Sequence, residues 1–343
     1  MSGGKTGRII LSVLFVVMVL TTATSIRFGA IDFSAHDMFT ALSHTLSGAG
    51  DLTLNQRIFM QLRMPRAILC LLVGACLSVG GVLMQALFRN PIVEPGLVGT
   101  SSGAAFGAAM FYVFGALLKL SLGAWTLPLA ACAGGVLSTY LVFALAQTRS
   151  EGRSSIMLLL LTGLAINAVF MSGIGFLSYV ARDPQARSII YWNLGTISGA
   201  SWNSVVVVGL ATVVGTAAAL FFAKPLNALM LGEDEAMALG VNVGRLKWTV
   251  LTVNVLMVAV ATAFTGVISF VGLIVPHILR ILHGPDNRFL IFGSALLGGT
   301  LLSLADLIAR MTFRPAELPI GIVTSVVGVP VFLTLLRRRE YLF

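Results

Sequence analysis

From Trp248 to Leu279 the chain reads WTVLTVNVLMVAVATAFTGVISFVGLIVPHIL, without one Asp, Glu, Lys or Arg. A run of this length suits a lipid solvent. No water satisfies backbone N–H and C=O groups in a bilayer core, so the run must be helical, and the alternating ten-residue strands of an outer-membrane barrel do not fit it. As a single helix rising 1.5 Å per residue it would be about 48 Å long, well beyond a hydrocarbon core of roughly 30 Å. Gly266, Gly272 and Pro276 place a break, because glycine weakens a helix and proline removes a donor. Two helices are therefore expected, over about 248–268 and 271–283, meeting at a tight outer turn, with the second one short.

The same pattern extends outward in both directions. Further runs free of Asp, Glu, Lys and Arg cover Ile9–Ile26, Ala67–Phe88, Pro95–Leu118, Leu120–Thr148, Ser154–Ala181, Ser188–Ala223, Phe289–Ala305 and Leu318–Leu336. Overall 57% of residues are hydrophobic and 10% charged, against roughly 25% charged in an ordinary soluble domain. Gly195, Ser198 and Gly199 cut the run from Ser188 into an interfacial piece of about a dozen residues and a span from about Trp202. Ile9–Ile26 follows Lys5 and Arg8 as a secretory signal would, but it is longer than a usual signal core and is read as a retained first span. The expectation is one all-α domain over residues 1–343, a polytopic transmembrane helix bundle of about ten spans.

Ten spans put both termini on one side. Both are basic, with Lys5 and Arg8 at the start and Arg337, Arg338 and Arg339 at the end, so the positive-inside rule places them in the cytoplasm. Nine of the 22 Lys and Arg then fall outside: Arg27, Arg57, Arg63, Arg66, Lys119, Arg182, Arg187, Arg310 and Arg314. That many outer arginines would be expected where an acidic partner must be met. The net charge of +9 does not imply nucleic acid, because the basic residues lie between spans and form no continuous face. Cys70, Cys76 and Cys132 sit inside apolar runs as small hydrophobes, without metal-site spacing.

No catalytic constellation is visible. There is no Walker glycine-lysine loop, Gly-x-Ser-x-Gly elbow, His-Glu-x-x-His or intramembrane carboxylate pair, so the chain is not expected to be an enzyme and must draw energy from elsewhere. Asp306 alone lies well inside a span, with Arg310 one turn later on the same face, which reads as a structural pair ahead of a proton relay. His36, His44, His277 and His283 read as surface or helix-end residues ahead of metal or haem ligands. The longest polar stretch facing the cytoplasm, Lys224 to Lys247, reads as two short helices broken at Gly232 and Gly240. Its apolar residues beside Glu233, Asp234 and Glu235 suit a segment that docks in a protein groove, and equally one that lies on lipid.

Four stretches go beyond composition: Leu62-Arg-Met-Pro-Arg66, Met84-Gln-Ala-Leu-Phe-Arg-Asn-Pro-Ile-Val-Glu-Pro-Gly-Leu-Val-Gly99, Phe270-Val-Gly-Leu-Ile-Val-Pro-His-Ile-Leu-Arg280 and Glu317-Leu-Pro-Ile-Gly321. In this order they resemble the FecCD family of permeases, the membrane subunits of type II ABC importers for haem, vitamin B12 and ferric siderophores, and the resemblance runs from about Gln61 to the C-terminus. It implies a vitamin B12 permease-like bundle of ten helices in the bacterial inner membrane. The implied partners are a second copy, two cytoplasmic ATPase subunits that bind the ATP, and a periplasmic substrate-binding protein. No cofactor or metal of its own is implied.

The resemblance also assigns residues. Arg63, Arg66 and Arg310 would meet glutamates of the binding protein, a pairing that guanidinium forks suit. The segment of about 224–243 would couple to the ATPase through Leu231, Gly232, Glu233, Glu235, Ala236, Leu239 and Gly240. Asn90 and Ile92, with Ser155, Ile156 and Met157, resemble cytoplasmic gate segments. The fifth span offers Thr162, Ala165, Asn167, Ala168 and Ser172 for a wide, weakly binding path, the alternative being plain helix packing by small residues. The stretch Tyr191–Trp202 looks most like haem permeases, so haem is the favoured cargo, with cobalamin or a ferric siderophore as alternatives. An ion-coupled secondary transporter would need titratable groups at mid-membrane, where only Asp306 stands, and a membrane-embedded enzyme or scaffold would need a cluster that is not seen.

Overall fold

The structure is a computed structural model that describes residues 3–29, 34–47, 53–115, 122–146, 156–313 and 316–337. Among the described residues every regular element is helical. In chain order they are α1 (Gly3–Arg27), α2 (Ala35–Ser47), α3 (Leu54–Ile58), α4 (Met64–Phe88), α5 (Thr100–Phe114), α6 (Thr126–Ala146) and α7 (Ile156–Val180). Then come α8 (Asp183–Asn193), α9 (Trp202–Leu231), α10 (Glu233–Ala238), α11 (Val243–Thr265), α12 (Val271–His283), α13 (Asn287–Thr312) and α14 (Ile320–Arg337). Among the described residues, seven stretches are long and apolar enough to cross a membrane: α1, α3–α4 taken together, α6, α7, α9, α11 and α13. The apolar helices α5, α12 and α14 are shorter, and these ten occupy the places of the ten expected spans.

The break in the opening stretch lies where glycine allows it. α11 ends at Thr265, Gly266 adopts φ +69°, and α12 starts after Phe270 at φ +70°. This turn is not a bare outer loop. Thr196 N donates to Thr265 O at 2.7 Å, and a Cβ on Gly266 would lie 2.1 Å from the Trp192 carbonyl oxygen, so the α8–α9 connection covers it. With 13 residues, α12 is only about 20 Å long and starts part-way through the bundle. The run from Pro95 is also divided: a 3₁₀ turn over Pro95–Val98 ends on Gly99 at φ +89° before α5 begins.

One expectation is corrected at residues 224–231. They form no separate short helix but complete α9, with Pro225 inside it. Packing outweighs the proline. Leu226 and Leu229 are 0% and 1% exposed, and Asn227 ties the last turns to α13, donating to Asp286 Oδ1 at 2.8 Å and accepting from Asn287 Nδ2 at 2.7 Å.

The bundle is built around α4, which packs on α9, α11, α12 and α13 and buries almost its whole length. Small residues bring the backbones together. A Cβ on Gly74 would lie 2.2 Å from Gly298 O, and one on Gly81 would lie 1.8 Å from Gly272 O, so neither site admits a side chain. Ser78 Oγ, fully buried, donates to Ser294 O at 2.6 Å across the α4–α13 contact. α5–α8 form a second group, in which α5 packs on α6, α7 and α8. The bundle has two polar ends. Residues near Arg89, Glu233, Lys247 and Asp286 lie at the α10 end, and Ser25, Arg66, Arg310 and Glu317 lie at the opposite, arginine end.

Candidate functional site

Between the two ends lies a cleft of about 550 Å³ walled by α5, α7, α8 and the 266–270 turn. Its polar groups include Glu94, Ser101, Asn167, Ser178, Asn193 and Ser269. Asn167 Oδ1 accepts from Ser102 Oγ, and its Nδ2 donates to Leu97 O at 3.4 Å, which ties α7 to the start of α5. On α7 the residues that reach the cleft are Asn167, Met171, Ile174 and Ser178, spaced as one helical face. Of the expected path residues, Asn167 is therefore in the cleft. Ala165, Ala168 and Ser172 lie on the exposed side of α7, and Thr162 is partly buried outside the cleft.

Glu94 was not singled out from sequence. Its Oε1 accepts from Phe270 N at 2.9 Å, joining the loop after α4 to the head of α12. The residue sits inside the long matched stretch Met84–Gly99, so a lone acid in an apolar, glycine-rich segment was the signal available.

At the α10 end the chain exposes a compact apolar cap. Leu231, Met237 and Leu239 are 71%, 46% and 65% exposed, whereas Ala236 is fully buried and anchors α10. Glu233 begins α10 and receives Lys247 Nζ at 2.8 Å and Arg89 Nη2 at 3.7 Å, so it links α10 to α11 and to the residue before Asn90. Gly232 and Gly240 bound α10 at φ +150° and +83°. A Cβ on Gly232 would collide with the Glu235 carboxylate at 1.7 Å, whereas nothing lies within 4 Å of one on Gly240. In the following turn Asn90 Oδ1 accepts from Ile92 N at 3.0 Å, and Ile92 is 37% exposed. Ile156 and Met157 open α7, and Ser155 lies outside the described residues.

At the arginine end the three expected docking residues are largely engaged within the chain. Asp306, 1% exposed, accepts from Arg66 Nη2 at 2.8 Å and from Arg310 Nε at 2.8 Å. This is the i,i+4 pair expected from sequence, extended by a second guanidinium. Arg66 Nη1 also meets Glu317 Oε2 at 2.8 Å. Arg310 spends its other donors on Ser25 Oγ, Ser25 O and Phe28 O at 2.8, 3.0 and 3.0 Å. Arg63 Nη1 reaches the same Phe28 carbonyl at 3.0 Å. Two arginines and two carboxylates thus form a neutral set that binds α1, α4, α13 and the lead-in to α14.

Comparison with known proteins places this geometry among transport proteins. The family model described as the FecCD transport family matches residues 14–338. The hemin transport system permease protein HmuU of Yersinia pestis is 36% identical over 341 residues, covering 99% of both chains. The cobalamin import system permease protein BtuC of Halobacterium salinarum is 40% identical over 285 residues, covering 83% of this chain and 74% of that one. A metal-chelate type ABC transporter solved in an inward-facing conformation superposes with a TM-score of 0.83 at 30% identity, covering 96% of this chain and 99% of that one.

Proposed function

This chain belongs to the FecCD transport family, and from that premise we propose that it is the membrane permease subunit of an ATP-binding-cassette importer for a bulky metal–tetrapyrrole chelate. It works as a pair of copies in the bacterial inner membrane, with both termini and the α10 end in the cytoplasm. Two ATPase subunits bind and hydrolyse the ATP, and a periplasmic binding protein delivers cargo to the arginine end. Haem, favoured from sequence, and cobalamin, carried by name in the relatives, are the candidate cargoes.

The observation that supports this reading best is the α10 cap. Leu231 at the end of α9, Met237 on α10 and Leu239 just after it stand exposed around a short helix that Glu233 ties to Arg89 at the Asn90–Ile92 turn. A partner that grips the cap therefore pulls on the turn below the cleft, which is how nucleotide-driven closure elsewhere would change the side to which a path opens. Delivery centres on the surface around Arg63 and Arg66. Arg310, 5% exposed, contributes by holding that surface in place.

The test is reconstitution with the partner ATPase and binding protein in lipid vesicles. Cargo-loaded binding protein should stimulate ATP hydrolysis and drive cargo inward. Equal hydrolysis with and without loaded binding protein, and no uptake, would overturn the reading.

A further inference from the structure

The long helix that carries the outer arginines is not α-helical throughout. Between α3 and α4 the chain makes a π turn over Phe59–Arg63, in which Met64 N reaches back five residues to Phe59 O instead of four to Met60 O. By the same pattern Met60 O would accept from the N–H of residue 65, but Pro65 has none. The Met60 carbonyl is thereby left without a donor from its own helix, and the indole of Trp202 supplies one: Nε1 donates to Met60 O at 3.0 Å. The turn held in this way presents Arg63. Arg63 Nη1 donates to Phe28 O at 3.0 Å, and a Cβ on Gly29 would collide with the same nitrogen, so the guanidinium has a fixed seat just past the end of α1. Were the turn to tighten to an α turn, everything before it would shift by one residue, a rotation of about 100° about the helix axis.

Trp202 is also the first residue of α9, which runs unbroken for 30 residues, about 45 Å, to Leu231. Gly232 and α10 follow directly. One helix thus joins the arginine end to the cap. Its seat in the bundle is softer than those of α12 and α13 on α4. Among the described residues the nearest atom to a Cβ on Gly209 is Leu72 Cδ1 of α4 at 3.4 Å, an ordinary contact, and a Cβ on Gly215 would meet the flexible side chain of Met257 and not a carbonyl. A helix seated on side chains can tilt as a rod. Resting on the importer reading above, we propose that Trp202 is the positioning residue through which arrival of the binding protein at Arg63 and Arg66 is transmitted to α10. It joins the π turn to the head of α9, and α9 carries the displacement to the cap that meets the ATPase. The tryptophan that closes the Tyr191–Trp202 stretch then serves coupling, whichever cargo is carried.

The test uses the permease–ATPase complex in lipid vesicles. It reads ATP hydrolysis with and without loaded binding protein, capture of binding protein with and without a non-hydrolysable ATP analogue, and the unfolding midpoint. Coupling between sites is reciprocal, so a residue that carries the signal inward also carries the effect of nucleotide outward. Trp202→Phe keeps a ring and removes the N–H. Basal hydrolysis should stay at the parent level, while stimulation by binding protein and the effect of nucleotide on capture should both fall about fivefold or more. Adding Pro65→Ala restores a backbone donor for Met60 O. The double variant should regain the parent's unfolding midpoint without regaining either measure of coupling, which separates the link to α9 from simple satisfaction of a carbonyl. Coupling at the parent level in Trp202→Phe, recovery of coupling together with the midpoint in the double variant, or capture weakened by the same factor in both nucleotide states would each overturn the proposal. Failure of the importer reading is distinct, because the parent complex itself would then show no stimulation by loaded binding protein.

Discussion

Replacing Asp306 by Ala removes the one carboxylate shared by Arg66 and Arg310. Arg310, 5% exposed, then keeps only the Ser25 and Phe28 oxygens, so a full positive charge stays buried without a counterion. Taking away one partner of a buried ion pair costs roughly 3–5 kcal/mol, most of it from the charge left behind. Arg66 softens the loss, because Glu317 remains at 2.8 Å, which places the expected cost near 3 kcal/mol. At roughly 2–4 °C per kcal/mol for a chain approaching this size, the midpoint of thermal unfolding should fall by about 6–12 °C. The assay is temperature-dependent loss of the monodisperse peak in detergent. Adding Arg310→Met removes the stranded charge, so the double variant should recover at least half of the loss. Glu317→Gln breaks a bridge whose acid is 40% exposed and should cost under about 1 kcal/mol. An Asp306→Ala midpoint within 2 °C of the parent, or a double variant as unstable as the sum of the singles, would show that the set is not held together by buried charge.

Further tests address the two ends. Gly240→Ala meets no neighbour but forces an alanine to φ +83°, a strain of about 1–2 kcal/mol; it should lower cargo moved per ATP hydrolysed severalfold while the complex still assembles, as measured in vesicles. Glu233→Ala severs the link from α10 to Lys247 and Arg89, and is expected to shift the unfolding midpoint by less than 3 °C yet reduce stimulation of hydrolysis by loaded binding protein by half or more. Arg63→Glu with Arg66→Glu should abolish capture of loaded binding protein on vesicles. Because Arg66 also holds Asp306, the single Arg63→Glu variant is the cleaner probe, and a tenfold weaker capture with an unchanged unfolding midpoint is expected from it.

Where the chain crosses lipid was readable from its charge-free runs, and so were its main interruptions. Gly266 and Gly195 both adopt positive φ at the predicted breaks, because a conformation that few residues tolerate leaves a mark in the sequence. The Asp306–Arg310 pair was readable for a similar reason: one helical turn fixes its geometry. Contacts made across the bundle leave no such trace. Arg66 finds Asp306 and Glu317 at separations of 240 and 251 residues, and Glu94 finds Phe270 at 176. The reading of residues 224–231 as a separate short helix also failed, because burial of Leu226 and Leu229 carries α9 on through Pro225. On α7, which face meets the cleft is likewise set by where α5 packs: Asn167, Met171 and Ser178 line it, while Ala165, Ala168 and Ser172 stay on the exposed side of the helix.

The glycine contacts along α4 have a mechanical consequence. With Gly74 against Gly298 and Gly81 against Gly272, sliding α4 by one residue past α13 or α12 would drive a side chain into a carbonyl. These three helices therefore form a hub whose register is fixed. Motion is left to pieces with looser seating, chiefly α7, whose outward face carries Leu164, Val169 and Phe176 at 63–65% exposure. In the proposed importer, a hub locked by missing side chains would leave a pull on α10 to be taken up by the outlying helices and not at the centre.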